Sequence, residues 1–132
     1  MPRGASVYDS GFGIHFSPRN AIASFGIEYD FGLGRAATSG TFLFRSPAAA
    51  STGLRELKAM YRGRARKVIP ADHLGQQRWG LNSQVGLPIG FHFGWRVDNV
   101  DLVFSYRGET SPPVTQTAAL ALAQRMARRV RC

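Results

Sequence analysis

The stretch FHFGWRVDNVDLVFSYR, residues 91–107, decides how the rest of the chain is understood. Phe91, Phe93, Trp95 and Val97 alternate with smaller or polar residues, and so do Val100, Leu102, Phe104 and Tyr106. An apolar residue at every second position marks a strand with one buried face. Asp98-Asn99 stands between the two runs, a two-residue turn suited to positive φ. Folding at that turn sets Val97 opposite Val100, Arg96 opposite Asp101, Trp95 opposite Leu102 and Phe93 opposite Phe104. Apolar residues meet apolar ones and the charges meet as an opposite pair, as stable neighbouring strands require. A β-hairpin over 91–107 follows.

Upstream, the same period recurs. Phe12, Ile14 and Phe16 share a face before Ser17-Pro18-Arg19-Asn20. Phe25, Ile27, Tyr29 and Phe31 alternate with Ser24, Gly26, Glu28 and Asp30, and Gly32-Leu33-Gly34 ends the run. Thr41 to Arg45 resumes with Phe42 and Phe44 on one side, so residues 11–45 are expected as strands. Two helices are expected. Over 46–63, Ser46 caps, Pro47 takes the first helical position, and Ala50, Leu54, Leu57 and Tyr61 recur at helical spacing before Gly63. Over 114–131, Thr115 is the expected cap and Ala119, Leu122, Ala123, Met126 and Val130 form the apolar stripe. Residues 64–90 are expected as irregular, with a short strand at Lys67 to Pro70 and a turn or short helix at Asp72 to Leu81. The first ten residues suggest a disordered or truncated N-terminus. The layout predicts an α+β fold: a two-layer sandwich, an antiparallel sheet of about five strands with both helices on one face. The other sheet face would be open to water or a partner.

The chain has 132 residues, a length that predicts one domain. A chain of this size buries roughly two-thirds of its unfolded surface, enough to fold without disulfides or structural metal. A single cysteine, Cys132, excludes a disulfide framework and a Cys-rich zinc site; its expected fate is a free thiol or an intermolecular disulfide. No apolar run approaches the roughly 20 residues of a membrane helix. Residues 1–10 also lack the apolar core of a signal peptide.

The net charge is +9, from 17 basic and 8 acidic residues. It is concentrated in two segments. Residues 55–67 carry Arg55, Lys58, Arg62, Arg64, Arg66 and Lys67 against Glu56. Residues 125–131 carry Arg125, Arg128, Arg129 and Arg131, and the remaining chain is balanced. These segments are the candidate anion-binding residues, and binding of nucleic acid or another polyanion through them is one functional reading. Arginine so outnumbers lysine that coding bias is a competing source of the charge.

Chemistry-bearing motifs are sparse. Gly32, Gly34 and Ala37 fit G-x-G-x-x-A after a strand, but Thr38 to Phe44 has strand character where a dinucleotide site needs a helix, so a hairpin loop is expected. His15 and His92 fall on the polar face of their strands by alternation, together with Glu28 and Arg96. His15, Glu28, His92 and Arg96 form the candidate ligand-binding set, and a small enzyme using His15 or His92 is a further alternative. A solvated sheet face with cross-strand ion pairs carries the same residue types. No nucleophile elbow, metal-ligand spacing or cofactor motif is present, so no catalytic residue, metal or cofactor is assigned. Trp79 is expected to cover core rather than stack a ligand.

Residues 41–61, TFLFRSPAAASTGLRELKAMY, are followed by Leu74-Gly75, by WRVDNV at 95–100 and by the helix 118–130. In that order the motifs resemble small extracytoplasmic domains, secreted or lipoprotein-borne, common in actinobacteria. The layout is also similar to the sensor domains of PknH-type receptor kinases and to PsbP-like folds. This chain departs from the PknH type in lacking paired cysteines, and it carries no lipobox cysteine. The resemblance implies a non-catalytic extracytoplasmic domain that binds a small ligand or a protein.

Overall fold

The computed structural model of the protein describes residues 5–8, 18–32, 35–62, 66–83, 89–108 and 115–129. Its strands are β1 (Ala5–Tyr8), β2 (Ala23–Gly32), β3 (Arg35–Leu43), β4 (Arg66–Val68), β5 (Gln77–Ser83), β6 (Ile89–Val97) and β7 (Val100–Gly108). Its helices are α1 (Pro47–Arg62) and α2 (Gln116–Arg129). All strands pair antiparallel in one open sheet, ordered β1-β2-β3-β7-β6-β5-β4. The strands β2 to β7 form the body, and the four-residue β1 runs along its β2 edge. Two meanders, β1–β3 and β4–β7, meet where β3 pairs with β7, and α1 carries the chain from one to the far edge of the other.

The hairpin has the expected register: Val97 pairs with Val100, Arg96 with Asp101, Trp95 with Leu102 and Phe93 with Phe104. Asp98 takes φ +54°, the left-handed conformation its turn requires. Asn99 fastens the turn to the strand before α1, its Nδ2 donating to the Phe44 carbonyl at 2.8 Å. Both helix caps form. Ser46 Oγ accepts from the Ala49 N–H and Thr115 Oγ1 from the Ala118 N–H, each at 3.1 Å.

Three expectations are corrected. Residues 77–83 are a strand, not turn or helix, because Gln77, Trp79 and Leu81 alternate with Arg78, Gly80 and Asn82. That strand, β4 at 66–68 and β1 at 5–8 take the sheet beyond five strands and give order to part of the first ten residues and of 64–90. The expected strand at Phe12 to Phe16 lies outside the described residues.

The third correction concerns the layers. The two helices lie on opposite faces of the sheet, not on one. Phe91, Phe93, Trp95, Leu102 and Phe104 point toward α2, where Ala119 and Ala123 are fully buried against them. Phe42, Trp79, Leu81 and Val103 point toward α1, whose Ala50, Leu54, Leu57 and Tyr61 cover them. Register is the cause. Phe42 pairs with Asp101, and it is Thr41 that pairs with Leu102. The apolar side of β3 therefore belongs to the face opposite the aromatic side of the hairpin, and each face needs its own helix.

Candidate functional site

On the α1 face, one row of side chains crosses four strands. The pairings Glu28 with Thr38, Thr38 with Ser105, and Ser105 with His92 place these residues side by side on β2, β3, β7 and β6. All four are half-buried. His92 Nδ1 and Ser105 Oγ are hydrogen-bonded at 2.7 Å, with the direction of donation set by the imidazole tautomer. Next along the row stands Leu81, already in the α1 core.

The C-terminal turn of α1 borders the row. The Tyr61 ring lies 5.3 Å from the His92 ring and 5.9 Å from that of Trp79, tilted toward both. Trp79 is itself held from below, its Nε1 donating to the Leu54 carbonyl at 3.0 Å, so it is a core cover as expected. The core thus fixes the imidazole through a series of aromatic contacts, and the row beyond it supplies hydroxyls and a carboxylate.

The sequence candidates distribute as follows. His92 and Glu28 share this face and row, with Thr38 and Ser105 between them. Their Cα atoms are three strand spacings apart, about 14 Å. At that distance Glu28 cannot orient the second imidazole nitrogen of a Ser105–His92 nucleophile pair as the third member of a triad does. Arg96 is on the same face but four residues along β6, about 13 Å from His92. Its guanidinium is committed elsewhere: Nε donates to Gln77 Oε1 at 3.2 Å, and Nη1 donates to Gln76 Oε1 at 3.1 Å and to the Asp98 carbonyl at 2.9 Å. His15 lies outside the described residues. Ser105 and Thr38 were not singled out in the sequence, although extending the hairpin register five pairs beyond Val97–Val100 sets His92 opposite Ser105.

The basic residues form two surfaces. Arg55, Lys58 and Arg62 are spaced along α1 on one stripe, Arg55 and Arg62 exposed and Lys58 half-buried. Arg125, Arg128 and Arg129 belong to α2, with the sheet between them and the first group. Lys67 is exposed on the edge strand β4, which also carries the backbone of Arg66; Arg64 is outside the described residues. The glycine-rich motif at 32–37 joins two antiparallel strands, which removes the helix that a dinucleotide site requires.

No family model matches this chain, and no curated protein matches it. Among solved structures it is similar to the extracellular domain of PknH from Mycobacterium tuberculosis, at 11% identity and a TM-score of 0.61, over 95% of this chain and 78% of that one. At that identity the likeness is one of fold alone.

Proposed function

We propose that this protein is a non-catalytic binding domain that acts outside the cytoplasm and takes a polar ligand on the row Glu28, Thr38, Ser105 and His92. The observation that carries it is the His92–Ser105 hydrogen bond within a line of four half-buried polar side chains. Half-buried hydroxyl and imidazole groups fixed by an aromatic support offer both donors and acceptors with little ordering left to do on binding. The extracytoplasmic setting is supported by the fold shared with an extracellular domain. NMR titration with sorbitol, succinate and choline tests the site across neutral hydroxylated, anionic and cationic chemistries. The expected result is a saturable shift at Ser105 and His92 with one probe class, lost in the Ser105→Ala, His92→Ala double variant. No saturable shift with any of the three, or shifts unchanged in the variant, overturns the assignment.

Polyanion binding is the second reading, favoured by the Arg55, Lys58 and Arg62 stripe on α1. Because the sheet separates the helices, a polyanion engages one basic surface at a time. Binding of single-stranded DNA would then weaken with salt at a log–log slope of about −2, as three neutralised phosphates give. A slope two or three times steeper contradicts the separated surfaces, and no binding at low salt ends this reading.

A further inference from the structure

Among the described residues, the α1 face buries one charged residue. Asp101 of β7 is fully buried, and neither of its carboxylate oxygens has a hydrogen-bond partner. Its roof is Gly53 of α1, where a Cβ would stand 3.0 Å from Asp101 Oδ2 and collide with the edge of the Phe44 ring. Its cross-strand neighbours are Phe42 on β3 and Arg96 on β6. The charged residues of α1 next to the roof are engaged away from it: Arg55 donates to Thr52 Oγ1, and Glu56 accepts from the Arg19 N–H. At the turn, Asp98 is exposed and its Oδ1 accepts from Gln76 Nε2. Among the described residues, Arg96 is the charge whose field reaches Asp101.

Arg96 faces Asp101 in register yet holds a different set of partners. Its guanidinium grips Gln76, Gln77 and the Asp98 carbonyl, while the Asp98 N–H donates to Gln76 Oε1 at 2.7 Å. The segment entering β5 is thereby clasped to the β6–β7 turn. That segment includes Leu74, which is fully buried against the α2-side core.

We propose that Arg96 and Asp101 form a proton-controlled latch: while Asp101 is neutral, Arg96 clasps residues 76–77 to the turn, and when Asp101 gives its proton to solvent the guanidinium turns to the carboxylate and releases them. Two directly opposed side chains on one face can exchange partners by side-chain rotation alone. An Arg–carboxylate pair is charge-assisted and outcompetes the neutral amide and carbonyl acceptors that Arg96 otherwise uses. The seat favours the neutral acid at rest, because an ionised carboxylate without a partner is costly to bury. Burial pushes the Asp101 carboxyl from 3.8 up to about 8, with Arg96 pulling the other way. A carboxyl raised in the folded state holds its proton where the unfolded chain has lost it. Stability therefore falls as pH rises from about 4 to about 8 and levels off above, where both states are ionised.

The test follows three signals in the full chain from pH 3 to 9.5: the Asp101 carboxyl carbon, the Arg96 Cζ, and amide exchange at Asp98 corrected for its intrinsic pH dependence. The expected result is one shared midpoint near 8, with protection of the Asp98 amide falling at least tenfold across it. In Asp101→Asn the Arg96 and Asp98 signals stay constant. An Asp101 midpoint near 4, an Arg96 signal that ignores the Asp101 titration, or the same Asp98 change in Asp101→Asn overturns the latch. Should the variant fail to fold, coincidence or divergence of the three wild-type midpoints decides.

Discussion

The two faces of the sheet are built from alternate residues of the same hairpin, yet the helices on them are seated differently. On the α2 side, small Ala119 and Ala123 rest on Phe91, Phe93, Trp95, Leu102 and Phe104. On the α1 side, the helix inserts Leu54, Leu57 and Tyr61, and the sheet beneath it carries Asp101, the Trp79 indole bonded to the helix, and the His92–Ser105 pair at the border. The α2 seat rests on apolar area with a hydrogen bond at its side, Gln124 Nε2 donating to the Asp72 carbonyl at 2.8 Å, and the α1 seat combines adhesion with titratable and hydrogen-bonding groups in the sheet itself. A sheet covered on both sides thus seats one helix chiefly on apolar area and the other beside buried polar groups as well.

The largest test of that division uses the two buried tryptophans, one per face. Trp95→Ala and Trp79→Ala should each cost about 3–5 kcal/mol in urea unfolding, the usual loss for a large buried aromatic. Phenylalanine separates them. Trp79 Nε1 donates to Leu54, whereas Trp95 Nε1 is buried without a partner. Trp79→Phe should therefore cost about 1 kcal/mol more than Trp95→Phe, since only the first breaks a hydrogen bond. Equal costs would erase the distinction between an adhesive face and a bonded one.

A smaller effect is expected at the glycines of the α1 side. A Cβ at Gly94 would collide with the Trp79 indole, and one at Gly53 would collide with the Phe44 ring. Overpacking of this kind costs about 1–3 kcal/mol. Alanine in mid-helix regains about 1 kcal/mol over glycine, so Gly53→Ala should be the milder of the two in thermal unfolding. The reverse order would show that α1 yields less readily than the sheet beneath it.

Much of this architecture was legible from the residues. The hairpin register followed from two unbroken alternating runs around one turn, and both caps followed from Ser46-Pro47 and Thr115. The seven residues of β5 escaped because Gly80 and the polar Arg78 and Asn82 leave only Trp79 and Leu81 as an apolar signal. The placement of the helices escaped for a deeper reason. Alternation assigns residues to one of two sides within a strand, but the β3–β7 register alone says which side of β3 matches which side of the hairpin, and that pairing joins residues 57 to 73 apart in the chain. The same limit acted on the site. Glu28 and His92 were read onto an open, non-core face, but the face they share is the one α1 covers, and their separation by Thr38 and Ser105 depends on strand order. Arg96 was read as one of an ion pair, and the loop that takes its guanidinium is not encoded in the hairpin at all.

The smallest expected effect is the most informative about recognition. Ser105→Ala removes the partner of His92 Nδ1 from a half-buried position and should lower stability by about 1 kcal/mol, the net worth of one hydrogen bond. Phe104 beside it and Val103 two residues back are both buried, one toward each helix, so a Ser105 that also served as packing would cost as much as a core residue. A loss above about 3 kcal/mol, in the range of core truncation, would make the row part of the adhesive machinery and dissolve the contrast between the faces. A loss near 1 kcal/mol accompanied by a shift of the His92 ring nitrogens would place the row where the comparison needs it: firmly supported by the α1 core, yet contributing little to holding it together, and so available to a ligand.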